Sequence, residues 1–496
     1  MFLFVSNACR FLGGCFLFAR TTGARALPFV LAFLFASLAC PRSDGSVGVV
    51  LNESLDQSMD RITGTGHSAV YFSGICADSP VRLRLCRPGE LGSVMSTYIN
   101  IGEDQPFEWN IVPLNIYLYG VEDPQNRPIF GSNKIKHLLE ERYREKYLSE
   151  YCASAACQTS GKAEWREMVG ATLIRGVYIF AVDTSVEQDR AIIVAFNKSV
   201  NKSHFNGATH NCADFARSVI NTYFPHAVSR DYLNDFGMTS PKAVARTFTR
   251  YALHHPESNF RVMHFAQAPG TIKRSSDVRA GTEQLIRSKK LLIPMILFAD
   301  HALPVVAASY IFTGRFNPEG QFERHPATEP DPENTASQPE QSAAVPNERI
   351  RIVGTSSEWR EYRKSYESVV EENKRGAEPH ELSRFFRHLD EAGTATLDSD
   401  GAAWMELSQN GQTVKVGVSA SNALAEGSNP QLSYELLLVR TGTFLKSAKH
   451  RRETMLEFQQ DWADLQRASI GSESLLARNA GLVRNARGIA LAGGTD

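Results

Sequence analysis

Two residues in this chain pair reactive side chains with settings that reactive side chains need. Cys212 lies in THNCADFARSVINTYFP (209–225), after a polar loop. It opens a segment in which Phe215, Val219, Ile220 and Tyr223 recur at helical spacing, and Pro225 stops it. A helix N-terminus carries partial positive charge and N–H groups without intrahelical partners. Both favour a thiolate, and such N–H groups can hold the oxyanion of a tetrahedral intermediate. Buried cysteines also open helices without doing chemistry, so the thiol needs a partner.

That partner is a base, normally a His brought close by the fold rather than by sequence. GTGHSAVYF supplies His67, which follows two glycines and opens an alternating apolar strand. A ring at a strand start projects from the edge, where it can meet a helix N-terminus; a lone His there is otherwise an ordinary solvent-facing side chain. His204 and His210 are closer to Cys212 in sequence. His210 is expected to shape the loop rather than face the sulfur. Asn211 is placed to cap the helix and hold the Cys loop.

Other chemistries lack their residues. There is no HExxH, no CxxC and no GxSxG, and GTGH is not followed by the Lys-Ser/Thr of a phosphate loop. No metal and no cofactor is expected. The net charge is −1, with no arginine-rich run or zinc-finger spacing, so nucleic acid is not an expected partner.

The elements that must position this pair follow from the pattern. HSAVYFSGIC and VRLRLC are strand-like runs around the turn ADSP, and FEWNIVPLNIYLYGV reads as a further strand-rich stretch. IKHLLEERYREKYLSEY is an amphipathic helix with Ile135, Leu138, Leu139, Tyr143 and Tyr147 near one face. RGVYIFAVDT is a buried strand, and the helix after it is capped by Thr184 or Ser185, with Glu187 and Asp189 in its first turn. Residues 226–285 read as mixed and mainly helical.

The GHSAVYF strand followed by an NCADF helix resembles the permuted NlpC-type superfamily of papain-like proteins, over roughly Asn52–Phe224. That superfamily includes cysteine peptidases and amidases of cell-wall peptides and lecithin retinol acyltransferase-like enzymes. The resemblance implies an α+β domain, a small antiparallel sheet with a Cys-bearing helix, in which the His strand precedes the Cys helix. It implies catalysis by Cys212 and His67 through an acyl-enzyme, and a third polar residue on the strand after the His strand. That strand is read as VRLRLCRPGE, so Asp78 and Glu90 are the candidates, although neither is the expected His, Asn or Asp in clear register. The long interval between His67 and Cys212 implies an insertion near 126–165.

Hydrophobic residues make up 43% and charged residues 22%, the balance of a globular protein. Its 496 residues allow two or three domains. Residues 1–40 read as a targeting segment: Arg20 and Arg25 precede the apolar run Ala26–Ala39, and small residues lead to Cys40 and Pro41. A cleaved signal peptide, a lipidated Cys40 and an uncleaved anchor are the alternatives. Export makes disulfides expected. Local pairing joins Cys76 to Cys86 and Cys152 to Cys157 and leaves Cys212 as the odd thiol.

The main domain is read as 44–285. Residues 291–312 (LLIPMILFADHALPVVAASYIF) are long enough for a membrane span, but they carry Asp300 and His301 near the middle, so a helix buried in the main domain is the other reading. Residues 325–347 are a Pro/Glu/Ser/Gln-rich disordered linker, and 348–496 a separate C-terminal α+β region with long helical patterns around the strands TVKVGVSA and SYELLLVR.

The expected protein is thus an exported thiol hydrolase, periplasmic or membrane-associated, acting on peptide or acyl substrates of the cell envelope. A lipid acyltransferase of the same fold, an inactive papain-like binding module and a membrane-anchored structural protein are the alternatives.

Overall fold

The computed structural model describes residues 45–55, 66–97, 109–151, 164–202, 210–287, 308–327 and 387–423, apart from single positions and one short break within these. Residues 1–44, Cys152, Cys157, most of 291–312, most of the linker expected over 325–347 and everything after 423 lie outside the described residues. No described helix is long and apolar enough to cross a membrane.

The protein is α+β, built on antiparallel sheets. The strands in chain order are β1 (Gly45–Asn52), β2 (His67–Phe72), β3 (Ile75–Ser79), β4 (Arg82–Leu85), β5 (Ser93–Ser96), β6 (Asn110–Pro113), β7 (Val177–Thr184) and β8 (Arg261–Phe265). Six of them form the main sheet in the order β6-β5-β2-β1-β7-β8. Every neighbouring pair is antiparallel.

Both faces of this sheet are covered, so its strands are apolar on both sides rather than alternating. Val47, Val49 and Leu51 of β1 pack with the helices α5 (Cys212–Tyr223) and α6 (Pro241–His254). Val50, with Ala69 and Tyr71 of β2, packs on the opposite face with α1 (Leu114–Tyr119) and α2 (Asn133–Tyr147). α2 presents Ile135, Leu139 and Tyr143 to the core, as its spacing predicts. α3 (Ala171–Ile174) precedes β7, and α4 (Val186–Lys198) is capped by Ser185 in a capping box with Gln188.

The stretch FEWNIVPLNIYLYGV is only partly a strand. β6 ends at Pro113, which becomes the N-cap of α1, and Gly120 closes α1 with φ 80°. Leu114, Ile116, Tyr117 and Leu118 are all buried. A segment apolar on every side has no periodicity with which to choose between strand and helix, and here the proline decides.

β3 and β4 form a separate two-stranded excursion, closed by the Cys76–Cys86 disulfide. The chain then returns to the main sheet as β5, which pairs with β2. The strand beside the His strand is therefore Ser93–Ser96 and not VRLRLC.

The C-terminal region is not separate where it is described. Strands β9 (Thr394–Leu397), β10 (Ala403–Gln409) and β11 (Gln412–Gly417) form a sheet in the order β11-β10-β9. Met405, Leu407 and Val416 join the same core cluster as Leu139. Asp390 accepts hydrogen bonds from Ser132 and Thr271. The Asn126 amide donates to Asp400 Oδ2 at 3.0 Å, and Ile129 N–H donates to the Val418 carbonyl at 2.9 Å.

Candidate active site

Cys212 is the first residue of α5 and the one free cysteine among the described residues. Asn211 caps the helix as its type predicts: Oδ1 accepts from the Ala213 and Asp214 N–H groups, each at 2.9 Å. Its Nδ2 donates to the Thr239 carbonyl at 3.0 Å. Asp214 Oδ1 accepts from Thr239 Oγ1 at 2.6 Å and from Arg230 Nη2 at 2.9 Å. The turn carrying the thiol is thus fixed to residues 230–239 by charge-assisted bonds.

His67 opens β2, opposite Asn52 of β1. The glycine before it is required. Gly66 has φ +75°, and a Cβ there would lie 2.4 Å from the Asn52 carbonyl oxygen and 2.2 Å from Val278 Cγ1. Gly66→Ala should therefore combine left-handed strain with a backbone clash, costing on the order of 2 kcal/mol or more. A urea titration reads the loss directly, and an unchanged midpoint would contradict it.

β2 and β5 are paired only from Val70–Met95 to Phe72–Ser93. Ser68 lies beyond that ladder, and its backbone amide is close enough to the Cys212 thiol to favour the thiolate. The imidazole is anchored by Nε2, 2.7 Å from Ser96 Oγ.

A buried polar group surrounds the pair. Asn52 Nδ2 donates to Tyr117 Oη at 2.6 Å. Tyr117 is close enough to Cys212 for charge there to raise its pKa, and with burial as the main cause it is pushed up to about 12. Arg175, almost wholly buried, is ion-paired with Glu167. Burial alone would raise the Glu167 carboxyl, but Arg175 first, then His67, hold it below the usual range. Lys136 Nζ supports this segment by donating to the Arg166 and Val169 carbonyls at 2.8 and 3.0 Å.

These surroundings keep both side chains neutral. His67 is pushed down to about 3, by burial and then by the Arg175 charge, against an opposing pull from Glu167. The Cys212 thiol is pushed up to about 11 by burial, although N–H groups of Ser68, Ala213 and its own backbone favour the thiolate. The helix N-terminus alone predicts a lowered thiol; desolvation outweighs it here. The Ala213 and Asp214 N–H groups are also engaged by the cap.

The residues sought as a third member lie elsewhere. Asp78 pairs with Arg82 at 3.4 Å, both exposed. Glu90 pairs with Arg84 at 2.6 Å and accepts from the Arg87 N–H, and these contacts hold its pKa down. The group that meets His67 Nε2 is Ser96. His210 is exposed, at the edge of the Cys loop. Among the described residues the one cluster of metal-ligating types is Cys76, Cys86 and Glu90, where both sulfurs are committed to the disulfide.

On the face of the sheet covered by α5 and α6 there is a cavity of about 570 Å³, and neither Cys212 nor His67 lines it. Leu51, Tyr178, Val278 and Phe316 line its apolar part, and the buried Lys242–Glu283 ion pair, at 2.7 Å, lines its polar part. Leu51 is paired with Ser68 on one side and Tyr178 on the other, so the cavity lies beside the strand that carries His67.

No family model matches the chain, and no curated protein and no solved structure matches it.

Proposed function

We propose that this protein is an exported thiol hydrolase of a permuted papain-like type, with Cys212 as nucleophile and His67 as base. The observation that carries the reading is the thiol at a helix N-terminus, near the backbone amide of the residue after His67. The Cys76–Cys86 disulfide fits an oxidising compartment.

In the proposed reaction Sγ attacks an acyl carbonyl while His67 Nδ1 takes the thiol proton. Because the resting groups are neutral, that proton moves during the attack rather than before it. The carbonyl oxygen becomes an oxyanion between the Cys212 N–H and the Tyr117 hydroxyl. The proton on Nδ1 passes to the leaving amine as the C–N bond breaks, which leaves a thioester on Cys212. Water then attacks the thioester, gives its proton to Nδ1, and releases the acid as the proton returns to sulfur. The substrate class proposed is an amide or peptide of the cell envelope, with the Leu51–Tyr178 cavity taking the group beside the scissile bond.

An activated ester tests the chemistry without the natural substrate. With p-nitrophenyl acetate, a burst and an acetyl adduct on Cys212 by mass spectrometry are expected. Both should vanish in Cys212→Ala and fall about a hundredfold or more in His67→Ala. No adduct in the wild type would reject the hydrolase in favour of a binding module, a reading that the neutral resting pair favours. If the adduct forms, envelope peptides and phospholipids offered side by side decide between amidase and lipid acyl transfer.

A further inference from the structure

The cavity beside Leu51 and Tyr178 is walled by residues of α6, of α7 (Gly281–Arg287) and of α8 (Pro318–Arg324). Gln321 of α8 stands in this wall and is only 9% exposed. Its side-chain amide has no hydrogen-bond partner among the described residues, and Oε1 is wholly enclosed. A buried amide without partners is costly and calls for a reason. The helix that carries it is held to the sheet. The Val262 N–H of β8 donates to the His325 carbonyl at 2.7 Å, and the Ala327 N–H donates to the Val262 carbonyl at 3.0 Å.

Lys242 of α6 lines the same cavity. Its Nζ donates to Glu283 Oε2 of α7 at 2.7 Å. That is its one acceptor among the described residues, although an ammonium has three hydrogens to give. Glu283 is fixed in turn by the Ala280 N–H, at 2.8 Å. Basic and acidic side chains line the cavity in equal number, so its charge does not select a phosphate or a free carboxylate. A hydrocarbon chain would leave both Gln321 and Lys242 without partners. A peptide unit answers both, because its carbonyl can accept from Lys242 and its amide can pair with that of Gln321. Leu51, Val278 and Phe316 then offer an apolar side chain its contacts.

We propose that this cavity binds a peptide unit bearing an apolar side chain, and that Gln321 selects the peptide over an acyl chain. As a statement about binding this is separate from the thiol chemistry; as the choice of substrate for Cys212 it rests on the proposed reaction.

The probe is N-acetyl-leucine methylamide, which carries two amides and one aliphatic side chain, with octanoate as the acyl chain for comparison. Saturation-transfer NMR on full-length Cys212→Ala, which does not consume the diamide, should show the diamide bound more tightly than octanoate. Adding Gln321→Leu should weaken the diamide about tenfold and leave octanoate no weaker. The same change removes a buried amide without partners, so it should not lower the urea midpoint of the unliganded protein. A lowered midpoint would mark Gln321 as structural and overturn its role. Octanoate bound the tighter, or a diamide affinity that Gln321→Leu does not move, would overturn the inference as well. Should Gln321→Leu fail to fold, the photoleucine form of the diamide decides by position. Crosslinks to peptides carrying Val278 or Phe316, competed by the diamide, support the inference, and crosslinks elsewhere sink it. The acetyl adduct on Cys212 is read separately in the wild type. Diamide in the cavity without an adduct would reject the hydrolase and keep the peptide site; an adduct without diamide binding would do the reverse.

Discussion

Iodoacetamide should alkylate Cys212 about ten-thousandfold more slowly at pH 7 than as a full thiolate, because burial pushes the thiol up to about 11. The thiolate is the alkylating species, so below that pKa the rate should rise about tenfold per pH unit. The measurement is the mass of the Cys212 peptide with time between pH 7 and 9.5, where a small-molecule thiol already bends toward its plateau. A straight line of unit slope is expected. A rate already flat at pH 6 to 7 would mean a preformed thiolate–imidazolium pair, and the neutral resting state would be wrong. Under the proposed reaction the consequence is selective: general electrophiles would be ignored, whereas a bound acyl group, with His67 taking the proton during attack, would not.

The second large effect is on stability in acid. His67 titrates at about 3 in the folded protein and near its ordinary 6.5 when unfolded. Between those values the unfolded chain binds more protons, so stability is present above pH 6.5 and is lost as the pH falls toward 3. At 1.36 kcal/mol per unit the loss has an upper bound of about 5 kcal/mol, reduced by the solvent that reaches a half-buried ring. Other groups contribute in the same range. Glu122, held down to about 2 by Lys146, Arg142 and Tyr147 against its burial, adds a loss between its ordinary 4.5 and 2. Asp189, pushed up to about 6 by burial, gives a gain as the pH falls from 6 to 3.8. The difference between wild type and His67→Gln removes both. Urea midpoints from pH 7 to 4 should fall more steeply in the wild type; parallel curves would show that His67 charges freely in the fold.

The two ends of the site were legible in the sequence, and what joins them was not. Gly66 and His67 announce a strand start, and Asn211 with the apolar positions after Cys212 announces a capped helix. Those are local patterns. Ser96, Asn52 and Tyr117 carry none, because a small polar residue in a strand gains its meaning only from register. The search for a third residue on VRLRLCRPGE failed for a topological reason: the next strand in sequence is an excursion, and β5 takes the place beside β2. Glu167 and Arg175 come from a segment whose place is set by the buried Lys136. The C-terminal sheet was read as separate because a Pro- and Glu-rich stretch precedes it, yet composition says nothing about where a chain returns.

That return changes what a cut would do. The sheet of β9–β11 is joined to the main domain by the Asp390 and Asp400 contacts, by backbone bonds at Ile129, and by a shared core. A protease acting between 328 and 386 would sever one covalent connection and none of these. The product would be two polypeptides travelling as one particle, separable in denaturant and not by dilution alone. Ending the chain at the linker instead strips Met405, Leu407 and Val416 from the core and bares apolar surface around α2, so the shortened protein should be prone to aggregate where the nicked one is not.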